Sequence, residues 1–541
     1  MSTVDADVSA DVLIVGSGSA ALSAALRAAV GGLKVIVFEK TDWIGGTSAM
    51  SGAGTWIPAN HHMRAAGLSD SSAEALAYIR AASPSGWQAE EDELWRAFVE
   101  TAPRMLAFVE EHTPLRFALA QEPDVRSELG GGKTFGRMLS PKVLSRRIVG
   151  KYARRIRRST LPHLFAYQEV YDFDAWHRPI SAILRFAPQL LWRLLTDRRG
   201  QGSALVTGLL RGCLDRGCRI ESSARVVELT LDPRDNGVTG LVVEQAGRRT
   251  PYMARRGVLL ASGGFEWSEE MREQNFPGPL DWIGSPRGNE GDGQRMALAA
   301  GAKLARLDQA NIYPTVPTRY EGRPHGMPVV FQAEPHAIVV NRHGRRFVSE
   351  YDFNIGEKID ERDPATGASL HLPAWVIADR RFLWHSLAFR WYARKDPSWL
   401  VRAATLAELA TRIDVPPAAL AETVARFNGF CAGGRDLDFR RGESSWERFK
   451  TGGGPALGTL EEPPFYAMPL NRSILGTKGG ARTDAKGQVL RPDGSVIAGL
   501  YAAGLAMANA IGTRAVGPGT TIGPNLTWGF ICAESMLARN V

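Results

Sequence analysis

The sequence predicts an α/β protein in which a strand-and-glycine framework is interrupted by a second, α+β domain. Three observations carry this. Residues 11–40 read strand, glycine-rich turn, helix, strand. Residues 313–465 change texture to short strands, Trp/Phe/Leu-rich helices and a Pro/Gly-rich stretch. After Tyr466 the first texture returns and runs to the end. The expected organisation is therefore 1–312, then an insert over 313–465, then 466–541 rejoining the first part.

The elements follow in order. The apolar run at residues 12–15 is a buried-type strand, and the Ala/Leu-rich stretch 21–29 a helix. A second strand, 33–38, ends at Glu39. The turn between the first strand and the helix is Gly16-Ser17-Gly18-Ser19-Ala20-Ala21. A Rossmann-like turn needs such residues: a first glycine for the bend, a second for close approach of a pyrophosphate, and a small third residue for helix–strand packing. The helix N-terminus then offers unpaired N–H groups to phosphate. Glu39, 23 residues after Gly16, stands where a carboxylate accepts ribose hydroxyls, with Lys40 beside it.

The loop Gly45-Gly46-Thr47-Ser48, followed by Ser51-Gly52-Ala53-Gly54, suits a cofactor that continues past its pyrophosphate and selects FAD over NAD. Further candidate FAD contacts are Val226, the strand end Ala261-Ser262-Gly263, Asp292 in a Gly-Asp-Gly turn, Gly504 after a second strand, and Gly519, Thr521 and Ile522. Helices are expected at about 70–112 and 204–216, strands near 219, 226, 239–244 and 257–261, and helix over 142–200 broken by Pro162, Pro179 and Pro188.

Composition narrows function. The 541 residues are 44% hydrophobic and 23% charged, an ordinary globular balance. The net charge of +8 is matched by eight Lys and Arg between Lys142 and Arg158, a span without acids. The basicity is thus local, and with no reader motif nucleic-acid binding is not expected. The four cysteines lack zinc spacing, so no metal is expected and reduced thiols are. The polar N-terminus reads directly into a strand, without a signal-peptide pattern, and suggests a cytoplasmic protein. Residues 183–195 alternate Trp, Phe and Leu with Arg. With the basic run they suit either a helix on the inner face of an anionic membrane or a solvated basic segment beside a core helix.

Several stretches resemble the fumarate-reductase/3-ketosteroid-dehydrogenase class of FAD flavoproteins, most closely its ketosteroid branch. They are residues 45–58, 341–350, 475–480, 499–504 and 517–524. The resemblance implies noncovalent FAD, an active site between the FAD domain and the insert, and dehydrogenation of a steroid-like cyclic ketone at adjacent ring carbons. It implies a tyrosine base, a tyrosine and a backbone N–H on the ketone, and hydride transfer to the flavin. The backbone donor maps to Gly519, but the implied tyrosines fall on Val125, Asn354 and Ala515. The arginine of the fumarate-reductase branch also falls on Asn354, and that branch's histidine is missing before Gly479-Gly480.

Tyr351, Arg514, Tyr313 and Tyr466 are the candidate replacements, and a position other than Δ1 becomes plausible. The expected electron acceptor is a quinone or another carrier. An ene-reductase or fumarate-reductase-like enzyme and a non-catalytic flavin protein on a membrane surface are the alternatives.

Overall fold

A computed structural model describes residues 9–174, 177–385, 390, 392–394 and 399–539. The first eight residues of the polar N-terminus considered above lie outside these. Strand β1 (Ser9–Val15), helix α1 (Ser19–Val30) and strand β2 (Val35–Phe38) form the expected unit. β1 pairs in parallel with β2, Leu13 opposite Ile36, and on its other side with Arg248–Leu260, Leu13 opposite Val258. Strand Val496–Ala502 extends the sheet on one flank and Arg219–Glu221 on the other. The central strands are apolar because both faces are covered. On one face α1 packs against the last helix, Ile522–Ala538, so closely that a Cβ on Gly529 would lie 2.1 Å from the Ala20 carbonyl oxygen.

The insert is a four-stranded antiparallel sheet in the order Ala337–Val340, Trp375–Ala378, Phe465–Pro469, Val401–Ala403. Its alternation is literal: Ala337 and Val339 join one apolar cluster, Ile338 and Val340 another on the opposite face. Phe465–Pro469 is an inner strand of that sheet, so the boundary expected at 465 falls inside it. A three-stranded sheet of Trp282–Ile283, Ser473–Thr477 and Ala310–Ile312 spans the return to the first domain.

The segment 142–200 is less helical than expected. Residues 146–155 form 3₁₀ turns interrupted at Gly150, whose φ is +56°. Among the described residues of the segment, α-helix occupies Tyr167–Asp172 and Pro179–Leu195. Pro179 starts the second one, where its missing N–H costs nothing. Pro188 does not break it; its ring lies on the exposed face.

Candidate active site

A cavity lies at the turn where the cofactor is expected. Gly16 has φ +104°, and a Cβ there would come 2.3 Å from the Ala261 carbonyl oxygen, so only glycine fits. Gly45 is also left-handed, at φ +108°, and its N–H donates to Ser17 Oγ at 2.9 Å, tying the second loop to the first. Ser19 N–H donates to Ser48 Oγ at 3.0 Å. Ser17 Oγ donates to Glu39 Oε2 at 2.5 Å, and Thr41 donates to Oε1 from its N–H at 3.0 Å and its hydroxyl at 2.9 Å, fixing the carboxylate while Oε2 keeps a further lone pair.

Most of the expected contacts converge on this cavity. Its wall takes Gly16, Gly18, Ser19 and Ala20 from the turn, and Glu39 and Lys40 from the second strand's end. Gly46, Thr47 and Ser48 come from the second loop, and Val226, Ala261, Ser262, Gly263, Asp292 and Gly504 from further along the chain. Ala21, Gly45, Ala53 and Gly54 lie outside the wall: Ala21 and Ala53 are buried, Gly45 packs against Ala49 and Val206, and Gly54 against Met138. Asp292 is held by Lys40 at 2.8 Å and Arg225 at 2.9 Å. Arg157 is an unexpected member of the wall. It belongs to the basic run, yet it is buried, pairing with Glu321 at 2.9 Å and reaching Thr41 Oγ1 at 3.2 Å. No local pattern separates it from its exposed neighbours Arg154, Arg155 and Arg158.

A second cavity of about 940 Å³ continues from the first. Thr47, Ser48 and Asn525 line both. Ser51, Gly52, Thr521 and Ile522 line the second alone, with an apolar wall of Val329, Val330, Ala333, Phe449 and Leu475. The Asn525 side-chain oxygen is buried without a partner, an orphan acceptor in the shared wall. The glycine cradle, the orphan acceptor and the positive end of helix Ile522–Ala538 fit FAD: Gly16–Ser19 would hold its pyrophosphate, and Thr47, Ser48 and Asn525 would meet its ring system.

The catalytic candidates divide. Asn354 and Ala515, where tyrosines are implied, bond to each other: Ala515 N–H donates to Asn354 Oδ1 at 2.9 Å and Asn354 Nδ2 to the Ala515 carbonyl at 3.1 Å. This buried amide pair fills the position with no titratable group. Arg514 is engaged bidentately by Glu357, at 2.7 and 2.9 Å, and does not line the cavity. Tyr351 is buried in the insert with the Arg441 guanidinium 5.0 Å over its ring. Burial, only partly offset by Arg441, pushes its hydroxyl up to about 12. Tyr466 sits in the insert's inner strand opposite Ala378 and Arg402, away from the cavity wall. Tyr313 lies behind the wall, and burial raises its hydroxyl above the usual range. Gly519 packs against Gly54 and is not in the wall, although Thr521 and Ile522 are.

Other polar groups do reach the cavity. Tyr167 and Tyr171, one turn apart on helix Tyr167–Asp172, line it together with Lys450. Lys478 also lines it, and burial lowers its ammonium to about 8. At the cavity edge His177 bridges Glu334 (3.0 Å) and Asp174 (2.5 Å), and these carboxylates hold it up at about 9. His61 and His62 converge on Glu110 at 2.6 and 2.9 Å, away from this site.

Fold and cradle define an FAD-dependent flavoprotein oxidoreductase. The FAD binding domain family model matches residues 11–522, and the chain belongs to that family. It is 36% identical to 4-oxocyclohexanecarboxylate 2-dehydrogenase of Sinomonas cyclohexanicum, over 98% of this chain and 93% of the relative. It is 34% identical to 3-oxosteroid 1-dehydrogenase of Mycobacterium tuberculosis, over 97% of each. The crystal structure of 3-ketosteroid Δ1-dehydrogenase from Sterolibacterium denitrificans, in complex with 1,4-androstadiene-3,17-dione, superposes with a TM-score of 0.86 at 31% identity, over 98% of this chain and 100% of that one. The expectation of an FAD flavoprotein resembling the ketosteroid dehydrogenases is therefore met. The chain is an FAD-dependent dehydrogenase acting on CH–CH groups.

Proposed function

We propose that this enzyme dehydrogenates a hydrophobic cyclic ketone, a 3-ketosteroid, at the ring carbons next to the carbonyl. The carrying observation is the cavity of about 940 Å³ that runs from the flavin-side loop, Thr47–Gly52, to a wall of Val, Ala, Phe and Leu side chains and a tyrosine pair. It is large enough for a ring system stacked near the cofactor. The relatives named above act on, or bind, a ring ketone. Lys450, beside the tyrosines, is already paired with Glu122 at 3.1 Å, which favours a neutral substrate there over a keto acid. FAD, when bound, supplies the two-electron acceptor for the hydride. The protein's part is to seat the ring, exclude water and take the α-proton. Because Val125, Asn354 and Ala515 stand where the tyrosines are implied, the bond oxidised in this proposal is one other than Δ1, such as Δ4.

Helix Pro179–Leu195 supports a location. It exposes Ile180, Ile183, Leu184, Leu191, Trp192, Leu194 and Leu195. Its C-terminal end abuts the basic segment, Arg147 donating to the Leu195 carbonyl at 2.5 Å. Leu161 and Arg178 line the nearby cavity. No helix among the described residues is long and apolar enough to cross a membrane. We therefore propose a cytoplasmic enzyme resting on the inner face of the membrane, drawing an apolar substrate from it and passing electrons to a quinone or another carrier. A panel of ketosteroids and cyclohexanone carboxylates under anaerobic conditions tests the substrate reading. Bleaching of the flavin band by a ketosteroid, with a product two mass units lighter, is expected. No bleaching by any ring ketone rejects it.

A further inference from the structure

Three of the polar side chains at the cavity form one buried network that the motifs do not foreshadow. Tyr167 Oη donates to Glu122 Oε2 at 2.7 Å. Lys450 Nζ donates to Glu122 Oε1 at 3.1 Å and to Tyr171 Oη at 2.9 Å. The Glu122 side chain has no exposed surface and that of Lys450 is 11% exposed. Burial and the neighbouring Glu122 carboxylate raise the Tyr167 hydroxyl. Burial opposes the Lys450 ammonium, but the Tyr171 and Glu122 oxygens outweigh it and hold the group above its usual range.

The position is specific. The Tyr167 ring lies on the flavin-side loop: a Cβ on Gly52 would come 2.8 Å from its Cδ2, and one on Gly54 3.7 Å from its Cζ. Glu122 lies three residues before Val125, one of the positions lacking its implied tyrosine. Thus helix Tyr167–Asp172 brings a tyrosine hydroxyl into the cavity beside the flavin-side loop.

We propose that Tyr167, relayed to Glu122, is the proton acceptor of the dehydrogenation, and that Tyr171, steadied by Lys450, donates to the ketone oxygen. This rests on the ring-ketone reading above. In the step, the C–H bond α to the ketone breaks and its proton goes to Tyr167 Oη as the Tyr167 proton passes to the Glu122 carboxylate. The freed electron pair forms the C=C bond. The adjacent C–H bond breaks with its pair leaving as hydride to oxidised flavin, so the substrate loses two electrons and the flavin gains two. The tyrosine oxygens, 3.4 Å apart, match the short separation of a ketone oxygen and the hydrogen on its α-carbon. Tyr167 is a catalytic residue in this account, and Glu122 a positioning and proton-storing one.

The test follows α-hydrogen exchange of 5α-androstane-3,17-dione, whose 4,5 bond is still saturated, in D₂O by mass spectrometry, with oxidised holoenzyme under anaerobic conditions, for the unaltered protein, Tyr167→Phe, Glu122→Gln and Glu122→Asp. Removing a positioned general base costs about 10²–10⁴-fold. Y167F and E122Q are expected to lose exchange by at least about 100-fold while keeping FAD, and E122D to recover part of it. A second readout needs no turnover. In ¹³Cζ-tyrosine-labelled protein, the resonance missing from Y167F is expected to shift in E122Q. Exchange retained in Y167F, or an unmoved resonance, overturns the relay alone. Absence of both exchange and flavin bleaching in the unaltered protein, with ring ketones of every kind tried, overturns the ketone reading and the relay with it.

Discussion

Replacing Leu184 and Leu195 together by serine should detach the enzyme from anionic vesicles without unfolding it. The two side chains are 71% and 64% exposed on helix Pro179–Leu195. Moving a leucine from full exposure to full burial is worth about 1.5–3 kcal/mol. With roughly two-thirds of each side chain available to a membrane, each contributes about 1–2 kcal/mol, and the pair about 2–4 kcal/mol. Eleven residues of helix separate them by roughly 16 Å, far enough for the effects to add. At 1.4 kcal/mol per tenfold, partitioning should fall by about 30- to 700-fold. Co-sedimentation with phosphatidylserine-containing vesicles measures this. Binding of the unaltered protein should also weaken with salt, since Lys151, Arg154, Arg155 and Arg158 are exposed nearby. Solvent-facing substitutions usually move stability by less than about 0.5 kcal/mol, so Tm should hold. Vesicle binding that the double substitution leaves intact, or no binding by the unaltered protein at low salt, would refute the membrane argument.

Other consequences can be checked directly. Gly16→Ala places a methyl 2.3 Å from the Ala261 carbonyl oxygen at φ +104°, so the purified protein should lose its visible flavin absorbance. Glu350→Ala leaves Arg346 and Arg441 buried without the carboxylate they share, at 2.9 and 3.0 Å. Breaking such a pair costs about 3–5 kcal/mol, read as a lower denaturation midpoint. His177 is held at about 9 in the folded state by Glu334 and Asp174, above its unfolded value. Its stabilisation should therefore be complete below about pH 6.5 and disappear as pH rises through about 9. Parallel urea titrations of the unaltered protein and His177→Gln should converge over that window, and a constant gap would contradict the assignment.

Legibility differed between the two halves of the site. The residues expected around the cofactor fall together because what they need is local: Gly16, Gly18 and Glu39 stand at the turn, helix start and strand end of one supersecondary unit, and Thr47 in the loop that follows it. Even there the periphery escaped. Arg157 looks like a solvated charge until the fold turns it inward onto Thr41 and Glu321. The substrate half shows the same limit in reverse. Tyr351 and Arg514 stand next to family motifs in the chain, but the fold uses one against Arg441 in the insert's interior and the other against Glu357. Pro188 marks a break by its type alone, yet its helix passes through it on the solvent side.

Chain order alone was enough for the α/β framework, the inserted domain, the flavin cradle and the basic, apolar segment at 142–200. These depend on side-chain periodicity and on residue types that a single turn or helix end demands. The union of Glu122, Tyr167 and Lys450 depended on how the domains close. Lys450 lies 328 residues from Glu122 in sequence, and the two meet only when the insert packs over the first domain. No pattern in neighbouring residues encodes a contact of that separation. It arises because burying the walls of both domains together brings a carboxylate, a phenol and an ammonium out of solvent at one place, where each pairs with the others.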